Sequence, residues 1–252
     1  ISALDVLGSS GEVDALLDAY DSFAGDIVGG SFTTPYLLAD SDDGGEDDTD
    51  EYWKLDPVTG EMHVGPQRIA FTCVLPKIRG DEPSDVAIFS HGYGSSRFEM
   101  FAFAWGLNRM GQAVCAMDSP GHGLSLGQDD REAVEAVFAN IGLSPLLEHL
   151  FDSRQRDIDN DGLPDSGADQ WIADSFHTRD MVRQAALDTS QFIRALRACG
   201  DTEMVADNET LVSCDWDDDG EPDIGGPNAN FYMVGGSLGG INTAVTAAIE
   251  PH

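Results

Sequence analysis

Residues 231–250 contain a serine in a setting where it could act as a nucleophile. Phe231–Val234 is an apolar, β-prone run, the motif G-x-S-x-G follows from Gly235 to Gly239, and an Ala/Thr/Ile-rich helical run comes next. A strained turn between strand and helix lifts a serine Oγ clear of the backbone, and the flanking glycines permit close packing. With a base and an orienting acid, Ser237 would attack an acyl carbonyl.

Two further glycine-containing motifs follow predicted strands. SHGYG (Ser90–Gly94) ends the apolar run that begins at Val86, and DSPGHGLS (Asp118–Ser125) follows the strand predicted at 112–117. A helix predicted at 98–110, ended by a glycine, separates the two strands. Strand, helix and strand with short connections form a right-handed βαβ unit, so the buried strands should be parallel.

The three motifs, each at a strand end, resemble the α/β-hydrolase family, and in particular secreted bacterial lipases and esterases. The resemblance covers about residues 68–125 and 176–252. It implies an α/β fold with a mostly parallel sheet and flanking helices. It also implies that Ser237 is the nucleophile and that the backbone N–H groups of Tyr93 and Leu238 stabilise the oxyanion, with the Tyr93 ring as one wall of the acyl pocket. The other residues of this sequence that match the motifs of the family are His91, Gly92, Gly235 and Gly239.

The histidines of this sequence offer no obvious base. His91 is interpreted as a structural hydrogen-bonding residue beneath the oxyanion loop, and His122 as a structural loop residue. His252 lies about four helical turns beyond Ser237, roughly 20 Å away at about 1.5 Å per residue. The remaining three have no motif context: His63, His149 and His177.

The order of catalytic residues in the family leads to an expectation about the rest of the protein. In that family an Asp or Glu and then a His follow the nucleophile elbow, which is here the G-x-S-x-G turn at Gly235–Gly239. The sequence ends at His252. We expect these residues in a downstream segment, supplied as a second chain after cleavage or left out here. The sheet is then incomplete in this chain, and the elbow strand is an unprotected edge.

Two acidic segments share the pattern D-x-D-x-D-G-x-P-D, at 157–165 and 215–223. Alternate aspartates direct hard oxygen ligands to one side of a curled backbone, as calcium requires. An EF-hand glutamate is absent, since Ala168 and Gly226 occupy its position, and the pattern resembles thrombospondin type 3 calcium loops. Acidic turns without an ion are the alternative. The predicted structural calcium ligands are Asp157, Asp159, Asp161, Leu163, Asp165, Asp215, Asp217, Asp219, Glu221 and Asp223.

Composition narrows the possible compartments and partners. The chain has 46 Asp plus Glu against 13 Lys plus Arg, a formal net charge of −33, which makes nucleic acid a poor partner. Salt adaptation, metal binding and a solvated face all remain open as reasons for this acidity. The sequence has no apolar run of about 18 residues, so we expect no membrane span.

Four cysteines and the calcium-like loops favour an oxidising compartment, hence a secreted or cell-surface protein. Cys199–Cys214 is the preferred disulfide. Cys73 and Cys115 lie in apolar, strand-like runs, where a disulfide and two buried thiols are equally compatible with the sequence.

The predicted organisation has two parts. Residues 1–67 form an N-terminal extension with a helix at 12–20 and an exposed acidic loop at 40–51. Residues 68–252 form the N-terminal part of the hydrolase domain, with a strand at 68–75 and a helix at 178–198. One insertion, at 126–175, is lid-like, with helices at 131–139 and 145–151 and the first calcium loop. The other, at 199–230, holds the second calcium loop.

The sequence therefore predicts a secreted, calcium-stabilised serine hydrolase that cleaves carboxylic esters of lipids or other acyl compounds through an acyl-enzyme. An acyltransferase on the same scaffold is one alternative. A non-catalytic, calcium-binding surface protein is another, because a fold does not fix its function. A downstream Asp or Glu followed by a His would favour the enzyme.

Overall fold

A five-stranded sheet is the centre of the molecule. The computed structural model describes residues 10–38, 51–80, 82–140, 142, 144–204 and 210–250. The strands of the sheet are β1 (Ala24–Tyr36), β2 (Gly65–Pro76), β3 (Val86–Ser90), β4 (Ala113–Met117) and β7 (Phe231–Gly235). A separate antiparallel hairpin is formed by β5 (Thr202–Met204) and β6 (Thr210–Val212).

Helices cover both faces of this sheet. They are α1 (Ser10–Phe23), a 3-10 helix (Arg97–Ala102), α2 (Ala104–Asn108), α3 (Gln128–Asn140), α4 (Pro145–Phe151), α5 (Ser175–Arg197) and α6 (Leu238–Ile249). None of the helices in the described ranges has the length and apolar character needed to cross a bilayer.

The strand order in the sheet is β1-β2-β4-β3-β7. Strand β3 pairs in parallel with both β4 and β7, whereas β2 is antiparallel to β1 and β4. Four of the five strands therefore share one direction, and the predicted α/β class with a mostly parallel sheet and flanking helices is confirmed. Because β3, β4 and β7 are parallel, the three motifs that follow them meet at the carboxyl ends of these strands.

Burial follows from the composition of the central strands. Strands β3 and β4 consist almost entirely of apolar residues and are buried on both faces, as is typical of strands between two helical layers. One face packs against α5, and the opposite face packs against the 3-10 helix and α2. The first core includes Ile69, Leu75, Val86, Ile88, Phe192, Ile193 and Leu196, and the second Val74, Phe89, Met100, Ala104, Val114 and Ala116.

Helix α5 is capped at its start by a side chain and is followed by a glycine. The Asp174 carboxylate accepts hydrogen bonds from the backbone N–H groups of Phe176 (2.7 Å) and His177 (3.3 Å), which satisfies two otherwise unpaired donors of the first turn. After the helix, Gly200 adopts a φ of 93°, a conformation that glycine accepts without strain. The predicted helix at 178–198 is confirmed, with its start three residues earlier.

The helix predicted at 98–110 is interrupted. The segment forms the 3-10 helix and then α2, with a break at Phe103, whose φ is −128°. The Phe101 carbonyl accepts a hydrogen bond from the Tyr20 hydroxyl at 2.8 Å. The Phe103 ring stacks on Phe89 with centroids 5.6 Å apart. These tertiary contacts replace the regular helix that the local sequence favours.

The N-terminal region contributes more to the sheet than the sequence suggests. Strand β1, which was not predicted, pairs with β2 along its length. Most of the acidic loop at 40–51 lies outside the described residues, but its last member, Glu51, was predicted to be exposed and is instead buried. Its carboxylate pairs with Arg156 at 2.7 Å. The division of the chain at 67/68 stays a prediction.

Both cysteine pairs form disulfides. The preferred Cys199–Cys214 bond is present and closes a loop over residues 199–214, at the start of the second insertion. Cys73 and Cys115, whose state the sequence leaves open, are also bonded, because β2 and β4 place them directly opposite one another. The described chain thus contains no free thiol.

Candidate active site

Ser237 has the backbone conformation that a nucleophilic serine requires. It lies in the turn between β7 and α6 with φ 54° and ψ −122°, and it is exposed. A positive φ is uncommon for a residue with a side chain and persists only where the surroundings enforce it. Since only Gly236 separates Ser237 from the strand, the serine is presented at the carboxyl end of the parallel strands.

Two glycines enforce this turn by close backbone packing. A Cβ on Gly239 would overlap the Ser90 carbonyl oxygen and lie 2.8 Å from the His91 carbonyl oxygen. A Cβ on Gly235 would overlap the Gly239 carbonyl group and lie 2.8 Å from Thr243 Oγ1. The first turn of α6 therefore packs directly on the loop that follows β3, and the two predicted motif glycines are required by sterics.

The same packing brings the H-G-Y-G loop to the serine. A Cβ on Gly92 would be 3.9 Å from Ser237 Cβ, so the two segments face each other. The Gly92 N–H donates to Glu99 Oε2 at 2.8 Å, which holds the loop to the following 3-10 helix. Tyr93 follows Gly92 and is half-exposed, whereas the Leu238 side chain is buried at the start of α6.

His91 supports this loop from below, as predicted. Its ring is buried, Nε2 accepts the Ser119 N–H at 2.9 Å, and Nδ1 therefore carries the proton that it donates to the Gly92 carbonyl at 2.8 Å. Burial lowers the pKa of His91, so the ring stays neutral. This histidine connects the loops after β3 and β4 and has no free nitrogen with which to act as a base.

His122 is also buried in the loop after β4. Its Nδ1 lies 2.8 Å from the Pro120 carbonyl oxygen, to which it donates, while Nε2 has no hydrogen-bond partner among the described residues. Burial, followed by the neighbouring His91, lowers the pKa of His122 to about 4. The ring is held neutral in the folded protein.

Two buried arginines attach the first insertion to the sheet. Arg97 pairs with Asp118, at the end of β4, and also donates to the Asp152 carbonyl at 2.8 Å. Arg154 pairs with Asp188 of α5 at 2.8 Å and donates to the Asp118 carbonyl at 3.2 Å. The sequence gives no signal for these pairs, because the partners lie 21 and 34 residues apart.

The two acidic loops have the same hydrogen-bonding pattern. In the first, the N–H of Gly162 donates to Asp157 (2.9 Å) and that of Ile158 to Asp165 (3.1 Å). The second loop has the same two bonds at the equivalent positions. The N–H of Gly220 donates to Asp215 (2.9 Å), and that of Trp216 donates to Asp223 (2.8 Å).

Within each loop, three carboxylates converge with ligand atoms within 4.8 Å of one another. These are Asp157, Asp159 and Asp165 in the first loop and Asp215, Asp217 and Asp223 in the second. Asp161 and Asp219 instead accept the N–H groups of Leu163 and Glu221. Carboxylate oxygens are the ligand type that calcium prefers, although three carboxylates are fewer than the six to eight oxygen ligands that it takes. In the second loop Arg79 also pairs with Asp223.

The described part of the chain does not supply Ser237 with a base. The hydrogen bonds of the described residues include none to Ser237 Oγ. His149 is hydrogen-bonded to Thr72 Oγ1, and His177 is hydrogen-bonded to the Glu51 carbonyl. His63 is exposed after the turn at 56–61, and His252 lies outside the described residues. The structure thus brings together Ser237, Gly92, Tyr93 and Leu238 without a partner for the serine hydroxyl.

The chain matches no protein-family model and no curated protein. Among solved structures it is similar to a ferulic acid esterase from Streptomyces cinnamoneus, with a TM-score of 0.41 and 12% sequence identity. The match covers 88% of this chain and 55% of that chain, so this chain spans about half of the esterase's length. So distant a likeness assigns neither a substrate nor a mechanism to this chain.

The glycine contacts lead to a test of the elbow. Gly239→Ala should lower the free energy of unfolding by several kcal/mol or prevent folding, because its Cβ has no space beside Ser90. Gly236→Ala is the matched control, since a Cβ there meets no atom within 4 Å. Urea unfolding of both variants measures the difference, and equal stabilities would contradict the packing described.

The buried His122 leads to a test by pH. Its folded pKa of about 4 lies below the ordinary 6.5, so the unfolded state alone takes up the proton as the pH falls between these values. Stability is therefore lost over that interval, by about 2–3 kcal/mol at a pH of about 4.5. His122→Asn retains a donor for the Pro120 carbonyl but does not titrate.

The comparison of interest is the loss of unfolding free energy from pH 7 to pH 4.5 in the two proteins. We expect a smaller loss for His122→Asn than for the wild type, because the aspartates and glutamates contribute equally to both. An equal loss would show that His122 is protonated in the folded protein.

Proposed function

We propose that this chain carries the nucleophile and oxyanion-binding elements of a serine hydrolase that cleaves carboxylic esters. The observation that carries the proposal is the conformation of Ser237, at φ 54° and ψ −122° between a parallel strand and a helix. A strained, exposed serine facing a glycine loop is typical of a nucleophile and has no evident structural purpose. The hydroxyl would attack the ester carbonyl, release the alcohol and leave an acyl group on Ser237 for hydrolysis by water.

The proposed oxyanion donors are the backbone N–H groups of Tyr93 and Leu238. Gly92 lies against Ser237, and Leu238 opens α6, where N–H groups of the first turn have no partner within the helix. Two such donors are preorganised for a tetrahedral oxyanion, and each typically contributes about 3–4 kcal/mol to stabilising the transition state. His91 and Glu99 would contribute indirectly, by holding in place the loop that carries the Tyr93 N–H group.

The base and the acid of the triad are proposed to come from a downstream segment or a second chain that completes the sheet. Strand β7 pairs with β3 on one side, and no strand within the described ranges pairs with its other edge. Apolar side chains of β7 and of the following helix α6 are also exposed: Tyr232, Val234, Ile241 and Ile249. Additional strands and helices would cover these residues and bring a histidine to Ser237.

Calcium binding and secretion are further parts of this proposal. The two acidic loops share one hydrogen-bonding geometry, and each brings three carboxylates together. Carboxylates at such distances repel one another, so a divalent cation would stabilise the folded loop. Two disulfides are compatible with an oxidising compartment, where millimolar calcium is available.

Reaction with a fluorophosphonate probe tests the nucleophile. We expect one covalent adduct on the full-length protein, mapped to Ser237 by peptide mass spectrometry, and none on Ser237→Ala. Ser22→Ala is the control, because Ser22 is an exposed serine that donates only to the Asp18 carbonyl. Labelling that persists in Ser237→Ala, or an unlabelled wild type, would overturn the proposal.

Thermal unfolding at increasing calcium concentration tests the acidic loops. At a concentration about one hundred times Kd, one site should stabilise the fold by about 2.7 kcal/mol. Asp157→Asn/Asp159→Asn and Asp215→Asn/Asp217→Asn should each remove part of this gain, since each pair belongs to one loop. A wild type whose unfolding temperature does not respond to calcium would contradict the calcium role.

A further inference from the structure

Two large aromatic rings lie half-exposed beside the loop that faces the proposed nucleophile. Tyr93 is 48% exposed and Trp171 is 49% exposed. Their ring centroids are 6.4 Å apart, with an angle of 51° between the planes. Because 78 residues separate them in the sequence, the fold itself creates this apolar surface, which joins the oxyanion loop to the first insertion.

The position of the pair relative to Ser237 follows from the contacts of neighbouring residues. Gly92, which faces Ser237, is followed directly by Tyr93. The Tyr93 ring packs nearly perpendicular to the buried His122 ring, with centroids 6.0 Å apart. A Cβ on Gly167 would be 3.1 Å from Tyr93 Cε2, so bare backbone supports the ring on that side.

The segment that carries Trp171 is fixed against the two strand-end loops. The Gly167 N–H donates to the Gly121 carbonyl at 2.7 Å, and Ser166 Oγ donates to the Ser95 carbonyl at 2.9 Å. A further backbone bond connects Gln170 to Gly167 at 3.0 Å. These bonds restrict the placement of the tryptophan before any substrate arrives, which reduces the entropy that binding would cost.

We propose that Tyr93 and Trp171 form a platform that binds a planar aromatic group of the ester attacked by Ser237, an inference that rests on the proposed function. Aromatic rings interact favourably at centroid distances of about 4.5–7 Å in tilted or offset arrangements, and both rings keep half of their surface free for a third. A neutral aromatic group also avoids the repulsion that a net charge of −33 imposes on anionic substrates. The pair would thus determine specificity and would not take part in bond breaking.

Three acetate esters with similarly activated leaving groups test the platform on the full-length protein: 2-naphthylmethyl, octyl and ethyl acetate. Trp171→Ala should lower kcat/KM for the naphthylmethyl ester at least tenfold, mainly through KM, and leave the ethyl ester within twofold. Trp171→Phe should restore most of the loss. Trp105→Ala, in α2, is the control and should change none of the three.

An equal loss for the octyl and naphthylmethyl esters, or no selective loss, would overturn the aromatic platform. Calorimetric binding of 2-naphthylmethyl acetate to Ser237→Ala, with and without Trp171→Ala, separates this inference from the proposed function. Weaker binding with Trp171→Ala supports the platform even if the wild type hydrolyses no ester. Unchanged binding, with fluorophosphonate labelling of Ser237 intact, rejects the platform and leaves the nucleophile in place.

Discussion

The candidate site depends on one steric constraint, the contact between the first turn of α6 and the backbone that follows β3. Gly239 has no room for a Cβ beside the Ser90 and His91 carbonyl groups. The same contact forces the chain to turn sharply at Ser237, and it places Gly92 against the serine side. The strained conformation of Ser237 and the position of the facing loop therefore arise from a single close approach of two backbones, which only glycine permits.

Buried charge organises the surroundings of this contact. The protein has 13 Lys plus Arg against 46 acidic residues, yet Arg97 and Arg154 are directed inward. They hold Asp118 and Asp188 and tie the first insertion to the sheet and α5. A planar guanidinium satisfies several carbonyl and carboxylate oxygens at once, as a lysine could not. Most of the other acids in the described part of the chain are exposed or partly exposed, so the negative charge there lies largely on the exterior.

The sequence predicts local features of this structure well and tertiary ones poorly. Strands β3, β4 and β7 and helix α5 are apparent because continuous apolar runs, recurring apolar positions and terminal glycines are local signals. Strand β1 is not, because Gly25, Gly29 and Gly30 weaken its strand pattern and its pairing with β2 is long-range. The break at Phe103 depends on Tyr20, and the burial of Glu51 depends on Arg156. These partners are distant in the sequence, so no local sequence pattern predicts the contacts.

The site follows the same division. Ser237, Gly92 and the two motif glycines are recognisable from sequence because their spacing reflects a local turn. Trp171 lies in an insertion whose sequence gives no indication of where it packs.

The central claim, that Ser237 acts between the N–H groups of Tyr93 and Leu238, is tested most directly by a crystal structure of the phosphonylated protein. The account predicts phosphorus bonded to Ser237 Oγ and one phosphoryl oxygen within hydrogen-bond distance of both N–H groups. A phosphoryl oxygen directed away from both, or an adduct on another residue, would contradict it.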